Sequence, residues 1–414
     1  SSNFQVTGTL SPDFGNVESD EAIVNLSAFE TFFPEKRLFF KEGIEVFKTS
    51  SKNSAKILHT RRIGGRARAP DLPDGVSVSP RQLGRPVDLL GALKTVGSIG
   101  RVRYGLLGAF EDQAEFQSGD LKFRQDGSNY GVARFLYETK SEKGAYQGVG
   151  VISTLSSHPD EDALVQGLDH HFLSSSGKWK ADSQLLYSDV DGIGSGAGGF
   201  SDIIYRPSRR TQYELSLSHY DDRLDLNDLG YLKRNNMSRA KFESQYRRYN
   251  LEWARKVYLS GFVTYEENGQ GEATNKGVGG RTGIDLKNRQ ELRWDFGYQA
   301  KRIDDLDSRG NGSYLKKAGA RTGFEYRTDS SRRVHYKAKL RYWSESQGGE
   351  RYSWANSVSW RPVDRLNIDL SVQYQTSNAW VLWQQKQDFT GFDSRDWRPD
   401  FNVSYFLSAK QQLR

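Results

Sequence analysis

From about residue 128 onward, apolar and polar residues alternate one for one, the period-2 signature of a strand with two unlike faces. In "ELRWDFGYQAK", Leu292, Trp294, Phe296, Tyr298 and Ala300 fall on one face and Glu291, Arg293, Asp295, Gln299 and Lys301 on the other. In "VHYKAKLRYW", Val334, Tyr336, Ala338, Leu340 and Tyr342 oppose His335, Lys337, Lys339 and Arg341. "LNIDLSVQYQ" sets Leu366, Ile368, Leu370, Val372 and Tyr374 against Asn367, Asp369, Ser371 and Gln373. These segments predict long strands with one wet face.

The connections alternate too. Short polar turns are predicted at 174–178, 206–210, 287–290, 328–333 and 361–365, and longer Gly/Asp/Asn-rich loops at 189–199, 221–236, 266–277 and 304–313. Short turns at one end and long loops at the other are the habit of an outer-membrane barrel, with turns toward the periplasm and loops outside. The repeat of roughly 35 to 45 residues also suits a propeller blade, but a blade divides that length into four short strands. Here each unit reads as two strands of about 10 to 14 residues.

The fold class expected is therefore all-β, a transmembrane antiparallel β-barrel of about 16 to 20 strands. Trp294, Tyr298, Tyr342, Trp354, Trp360, Tyr374, Trp397 and Tyr405 suit aromatic girdles at the two membrane interfaces. The opposite face is too densely charged for a dry sandwich core, because unpaired buried charge costs several kcal/mol, roughly, so water must reach it. Such a barrel encloses a lumen wider than side chains alone can fill.

Composition narrows the classes further. The 414 residues are long for one ordinary core, and a mean hydropathy of -0.73 is too polar for a helical membrane protein. The absence of Cys excludes disulfides, thiolate metal sites and a catalytic thiol. The net charge of +7 comes from Lys and Arg interleaved with 52 acidic residues rather than from a patch, so nucleic acid is not an expected partner. Residue 1 opens into polar sequence without a signal-peptide pattern, as expected of a mature or trimmed chain.

Alternation weakens in the first hundred residues. "FQVTGTL" (4–10) predicts a strand, and 87–110 a hairpin turning within Gly97 to Gly100. The region between is too long for an ordinary connection and is expected to fold inward. Residues 1–86 are thus read as first strand plus plug, and 87–414 as barrel.

"SPDFGNVESDEAIVNLSAFETFFPEKRLFFKEG" resembles the hallmark segment of the bacterial DUF5916 family, "ILHTRRIGG" (57–65) is similar to the string that follows it there, and "LLGALKTVGSIGRVRYGLLGAF" resembles the next hairpin. Leu38 stands where the family commonly has Pro. The resemblance implies a C-terminal β-barrel region, and an N-terminal carbohydrate-binding domain, family 9-like, that does not precede residue 1 here. No sugar function of that domain is carried onto these residues.

Phe29, Phe32, Phe33, Phe39 and Phe40, with Glu35 and Arg37 between the two groups, are candidates for a plug or constriction pinned by its own apolar cluster. Lipid is excluded for them, because irregular backbone there would leave its amides unpaired. Arg61, Arg62, Arg66 and Arg68 are candidate luminal cations, for anionic solutes, for lipopolysaccharide phosphates, or for pairing with nearby carboxylates. Asp13, Glu18, Asp20 and Glu21, with Glu30 and Glu35, form a possible cation site without EF-hand spacing, and no metal or other cofactor is expected. The histidines, His59, His158, His170, His171, His219 and His335, show no chelating spacing, and "GIGSGAGG" (192–199) reads as a flexible loop. No enzyme follows.

The function expected is an outer-membrane barrel in a bacterial cell, porin-like or transport-associated, passing small solutes under the control of luminal charge. Its expected partners are outer-membrane lipid and lipopolysaccharide, with room for a periplasmic or surface protein. The rivals are a closed barrel acting as a scaffold or docking platform, and a soluble carbohydrate-active β protein.

Overall fold

The computed structural model describes residues 3–12, 25–49, 55–70, 72–74, 76–408 and 411–413. The strands are β1 (Asn3–Leu10), β2 (Leu89–Ile99), β3 (Val102–Glu111), β4 (Ala114–Ser118), β5 (Leu121–Gln125), β6 (Asn129–Lys140), β7 (Tyr146–Ser157) and β8 (Asp162–Leu173). Then come β9 (Trp179–Val190), β10 (Gly194–Tyr205), β11 (Thr211–Tyr220), β12 (Met237–Tyr249), β13 (Ala254–Asn268), β14 (Ala273–Leu286), β15 (Glu291–Gln299), β16 (Arg302–Asp304) and β17 (Tyr314–Lys316). The last are β18 (Gly319–Arg327), β19 (Val334–Ser344), β20 (Glu350–Val363), β21 (Leu366–Gln385), β22 (Asp388–Ser408) and β23 (Gln411–Leu413). Among the described residues, 19 strands belong to one large sheet, within the 16 to 20 expected, while β4–β5 and β16–β17 are separate two-stranded hairpins. Among the described residues the α-helices are two single turns, α1 (Leu38–Lys41) and α2 (Pro80–Leu83), and none is long and apolar enough to cross a membrane.

From β2 onward, every second connection is tight: 100–101, 141–145, 174–178, 206–210, 250–253, 287–290, 328–333 and 364–365. All the long excursions, 11–88, 112–128, 221–236 and 300–318, fall in the other set. Two expected long loops are shorter than the sequence suggests. The 266–277 loop is only 269–272, and the glycine run at 192–199 is mostly strand β10 rather than flexible loop. Close approach explains the glycines: a Cβ on Gly196 would collide with the backbone of Arg223 and Leu224, which lie against it.

The chain divides into two compact units. The first comprises Ser1–Asn25, Phe29–Ile203 and Leu217–Ser238. In it β1 pairs with β2, β2 with β3, and β3 with β6 through β9 in chain order, all antiparallel. The register aligns Tyr104, Phe135, Val151, Leu168 and Leu185 in one outward row, and the last four are 46–64% exposed. The other face aligns Lys94, Leu107, Val132, Thr154, Val165 and Ser188, all buried. This face is dry, unlike the wet face the alternation predicts. Residues 29–49, residues 55–70 and the 221–236 loop fold over it, bringing Phe40, Phe47, Ile57, Ile63, Leu224 and Leu226 into one core with wall residues Leu107, Val132 and Ile152.

The second unit comprises Leu26–Ala28, Ile204–Ser216 and Arg239–Arg414. Its strands pair antiparallel from β13 to β15, then β18 to β23. One row reads Trp294, Phe324, Leu340, Trp354, Tyr374 and Trp397 across six strands. The adjacent row, on the opposite face, reads Arg281, Asp295, Gly323, Arg341, Ser353, Gln375 and Asp396. Here the sheet is apolar on one side and ionic on the other, as the alternation predicts.

Candidate functional site

The segment over the first unit's wall is held at named points. α1 is too short to satisfy its own carbonyls, and Lys94 of β2 donates its ammonium to the Phe39 and Glu42 carbonyls at its end. The same ammonium lies 4.8 Å over the Phe39 ring. Just before α1, the Arg37 guanidinium donates to both Glu35 carboxylate oxygens at 2.9 and 2.7 Å, and to the carbonyls of Thr60 and Ile63 at 2.6 and 2.7 Å. Thr60 Oγ1 donates to Glu35 at 2.7 Å. Glu35 and Arg37, picked out as the polar centre of the Phe-rich stretch, thus form a clasp joining two parts of the plug. Burial alone would raise the Glu35 pKa, but the hydrogen bonds and charge of Arg37 hold it below the usual carboxylate range.

The five phenylalanines do not form one cluster. Phe40 alone is fully buried, with Arg37 4.3 Å over its ring, and Phe39 packs edge-on against it at 4.9 Å. Phe32 stacks on His59 at 4.5 Å, meets Tyr231 edge-on at 5.2 Å and lies under Lys56 at 3.6 Å. Phe29 carries Lys233 at 4.2 Å, and Phe33 is half-buried. The cluster divides because the Glu35–Arg37 clasp turns the chain between its halves: one half packs on the wall, the other on the 221–236 loop. Desolvation, and then the charges of Arg62, Lys56 and Arg61 against that of Glu35, push the His59 pKa down to about 4.

The four arginines are dispersed as well. Arg62 pairs with Glu30 at 2.7 Å and donates to the Gly230 carbonyl at 3.2 Å; Arg68 pairs with Asp228 at 2.7 Å and Glu161 at 2.6 Å. Arg61 is half-buried, and Arg66 is exposed, its backbone bridged to Pro86. Asp228 also lies 3.3 Å from His158 Nε2, whose Nδ1 shares a 2.7 Å hydrogen bond with Ser128 Oγ. Burial raises the Asp228 pKa, but His158, Arg68 and Arg62 outweigh it and the carboxyl is held low. The Ser128, His158 and Asp228 chain ties three loops together, and Arg68 on Asp228 joins them to the plug. Asp13, Glu18, Asp20 and Glu21 lie outside the described residues; among those described, no group of three or more His or carboxylate side chains is placed to hold a metal.

The wall supplies residues that sequence reasoning missed. Arg134 of β6 and Asp169 of β8 form a fully buried bidentate pair at 2.5 and 2.7 Å, and Arg134 Nε donates to the Val46 carbonyl of the plug at 3.3 Å. His171 stands 2.9 Å from Asp169 and 2.8 Å from Asp182. Glu111 accepts the Gly64 amide at 2.7 Å. Glycines receive the plug's apolar side chains: a Cβ on Gly105 would lie 2.7 Å from the Phe47 ring, and one on Gly167 would collide with Ile57. The available signal lay in β6, where Tyr130, Val132 and Leu136 flank Arg134 on one face while Phe135 and Tyr137 occupy the other. A strand apolar on both faces is covered on both.

In the second unit the ionic face is partly open. Arg293 pairs with Asp285 at 2.7 Å and Glu291 at 3.1 Å, yet keeps 34% of its side-chain surface exposed. Lys339, 3.7 Å from Glu325, keeps 30%.

Among solved structures, the chain is similar to Pseudomonas aeruginosa OpdK with vanillate, at 10% identity and a TM-score of 0.38, over 77% of this chain and 93% of that one. It is similar to Acinetobacter baumannii OccAB3 at 8% identity and 0.36, over 77% and 92%, and to Pseudomonas aeruginosa OccK2 (OpdF) in complex with glucuronate at 12% and 0.33, over 77% and 91%. No protein of curated function matches this sequence. Residues 1–120 and 150–414 match the family described as a domain of unknown function (DUF5916), and the chain belongs to that family.

Proposed function

We propose that the chain is an outer-membrane β-barrel of a bacterial cell, a porin-like channel for small solutes with residues 29–88 as a resident plug. The observation that carries this is the inverted burial of the first unit. Phe135, Val151, Leu168 and Leu185 are exposed on one face, while Arg134 and Asp169 on the other are fully buried. A row of large apolar residues facing water would be strongly unfavourable; facing hydrocarbon, it is the surface a barrel needs. Tight connections in one set and all long excursions in the other agree with strands that run up and down through a bilayer.

Water and solute pass along the ionic face of the second unit, where Arg293, Lys339 and their carboxylate partners stay partly solvated. Lipid covers the apolar rows, and lipopolysaccharide lies at the end bearing the long excursions. No catalytic step is assigned. A closed scaffold barrel is the alternative, favoured by the depth at which Phe47 and Ile57 are keyed into the wall.

Purified protein in a planar bilayer decides between them. The channel gives ion conductance, from a preparation extracted only by detergent and shifting its gel mobility on heating. A detergent-extracted, heat-shifting preparation with no conductance supports the scaffold, and solubility without detergent removes both.

A further inference from the structure

The excursion between β15 and β18 folds over the tip of the β21–β22 hairpin. β20 pairs with β21 only as far as Asn378; beyond it, β21 and β22 pair with each other alone, from Trp380 opposite Phe392 to Gln385 opposite Asp388. A cavity of about 290 Å³ is lined there by Ser308, Asn311, Tyr314, Gln347, Gln387 and Phe389, with smaller residues between them.

Its frame is fixed by contacts behind the lining and within it. Lys316 binds Asp304 at 2.5 Å and Asp307 at 2.7 Å, and the Asp304 carboxylate accepts the amides of Leu306 and Asp307 at 3.1 and 2.8 Å. Burial would lower the Lys316 pKa, but the two carboxylates prevail and raise it, so the clamp stays charged. Tyr314 packs on Phe389 at 4.8 Å, and the Arg309 guanidinium lies 4.5 Å from the Trp383 ring.

The lining itself carries no charge. It offers the Gln347 and Gln387 carboxamides, which donate and accept at once, the Asn311 side-chain oxygen, whose amide nitrogen already donates to the Ser308 carbonyl at 2.8 Å, the Ser313 hydroxyl and two aromatic rings; the Ser308 hydroxyl is spent on the Gly312 carbonyl. An ionic ligand would find no counter-charge, and a purely apolar one would strand the carboxamides without partners. A ligand with hydroxyls on its rim and C–H faces satisfies both parts of the wall. We infer that this cavity binds a neutral saccharide unit.

The site does not depend on whether the barrel conducts, so conductance and binding fail separately. The test is isothermal titration of the full chain, in a detergent without a sugar headgroup, with glucose, galactose, N-acetylglucosamine and maltotriose as probes and glucuronate as the charged control. Saturable binding of at least one neutral probe, tighter than glucuronate, is expected. Gln387→Ala weakens it about tenfold, the loss of roughly one good hydrogen bond. Gly391 lines the cavity, and a Cβ there meets nothing within 4 Å, so Gly391→Leu fills the space without a backbone clash and abolishes binding. Heat-shifted gel mobility verifies that each variant folds, and Gln117→Ala, on the β4–β5 hairpin, binds as the parent does. Absence of saturable binding by every neutral probe overturns the inference, as does binding that neither variant weakens.

Discussion

The guanidinium of Arg134 and the carboxylate of Asp169 meet across two strands at 2.5 and 2.7 Å, with neither side chain reaching solvent. His171 also reaches Asp169 at 2.9 Å, but Arg134 alone engages both of its carboxylate oxygens from a fully buried position. Arg134→Ala should destabilise the protein by about 3 kcal/mol, because it removes the bidentate partner of a buried carboxylate and leaves it His171 alone. The double change Arg134→Met with Asp169→Leu should recover most of that loss. Urea midpoints in detergent measure both, and a single variant as stable as the parent would show that the pair is not a structural tie.

Gly167 has the shape that Ile57 requires. Gly167→Val should displace the plug while the ladder between β7 and β9 stays paired. Limited trypsin digestion reads this directly: cleavage after Lys56, Arg61 and Arg62, slow in the parent, should become fast. If those bonds stay as resistant as before, Ile57 does not anchor the plug.

The plug should also respond to acid. His59 has a folded pKa of about 4 against an ordinary value of 6.5, so the unfolded segment binds more protons between those values. Its contribution is therefore complete above pH 6.5 and is lost as pH falls toward 4, on the order of 2–3 kcal/mol. Glu35 and Asp228 have depressed pKa values, and their contributions, present at neutral pH, are lost on further acidification. Amide-exchange protection over residues 55–63, corrected for the intrinsic exchange rate at each pH, should fall as pH is lowered from 7 to 4, and His59→Phe should flatten the response between 6.5 and 4. An unchanged response in that variant would assign the titration elsewhere.

Arg281 and Arg341 share a register row with Asp295 on the ionic face of the second unit. If this face lines the aqueous path, Arg281→Glu with Arg341→Glu should shift the reversal potential in a salt gradient toward cation preference. An unshifted potential in a conducting variant would place the path elsewhere.

The second unit was legible because its strands announce themselves: Leu292 to Ala300 and Val334 to Tyr342 alternate without exception, and register follows once one face is apolar. The first unit was only half legible. Its wall strands carry apolar residues on both faces, so period alone does not tell Leu136 inside from Phe135 outside. The plug has no period at all. Its contacts, such as Arg37 with Thr60 or Lys94 with Phe39, join residues distant in sequence through backbone carbonyls, which every residue possesses and no pattern marks. The glycines at 194–199 misled for a related reason. They look like flexibility, yet in β10 Gly196 and Gly198 make room for Arg223 and Leu224 of the loop packed against them.

The plug is separable from the strand ladder that carries it. β1 and β2 pair from Asn3 opposite Ser98 to Leu10 opposite Gly91, and the Ser11 amide still reaches the Leu90 carbonyl at 3.0 Å. Residues 11–88 therefore leave and re-enter the ladder at adjacent points, about 5 Å apart. They form a cassette: a two-residue turn joining Leu10 to Leu89 would excise it without shifting the register of a single strand.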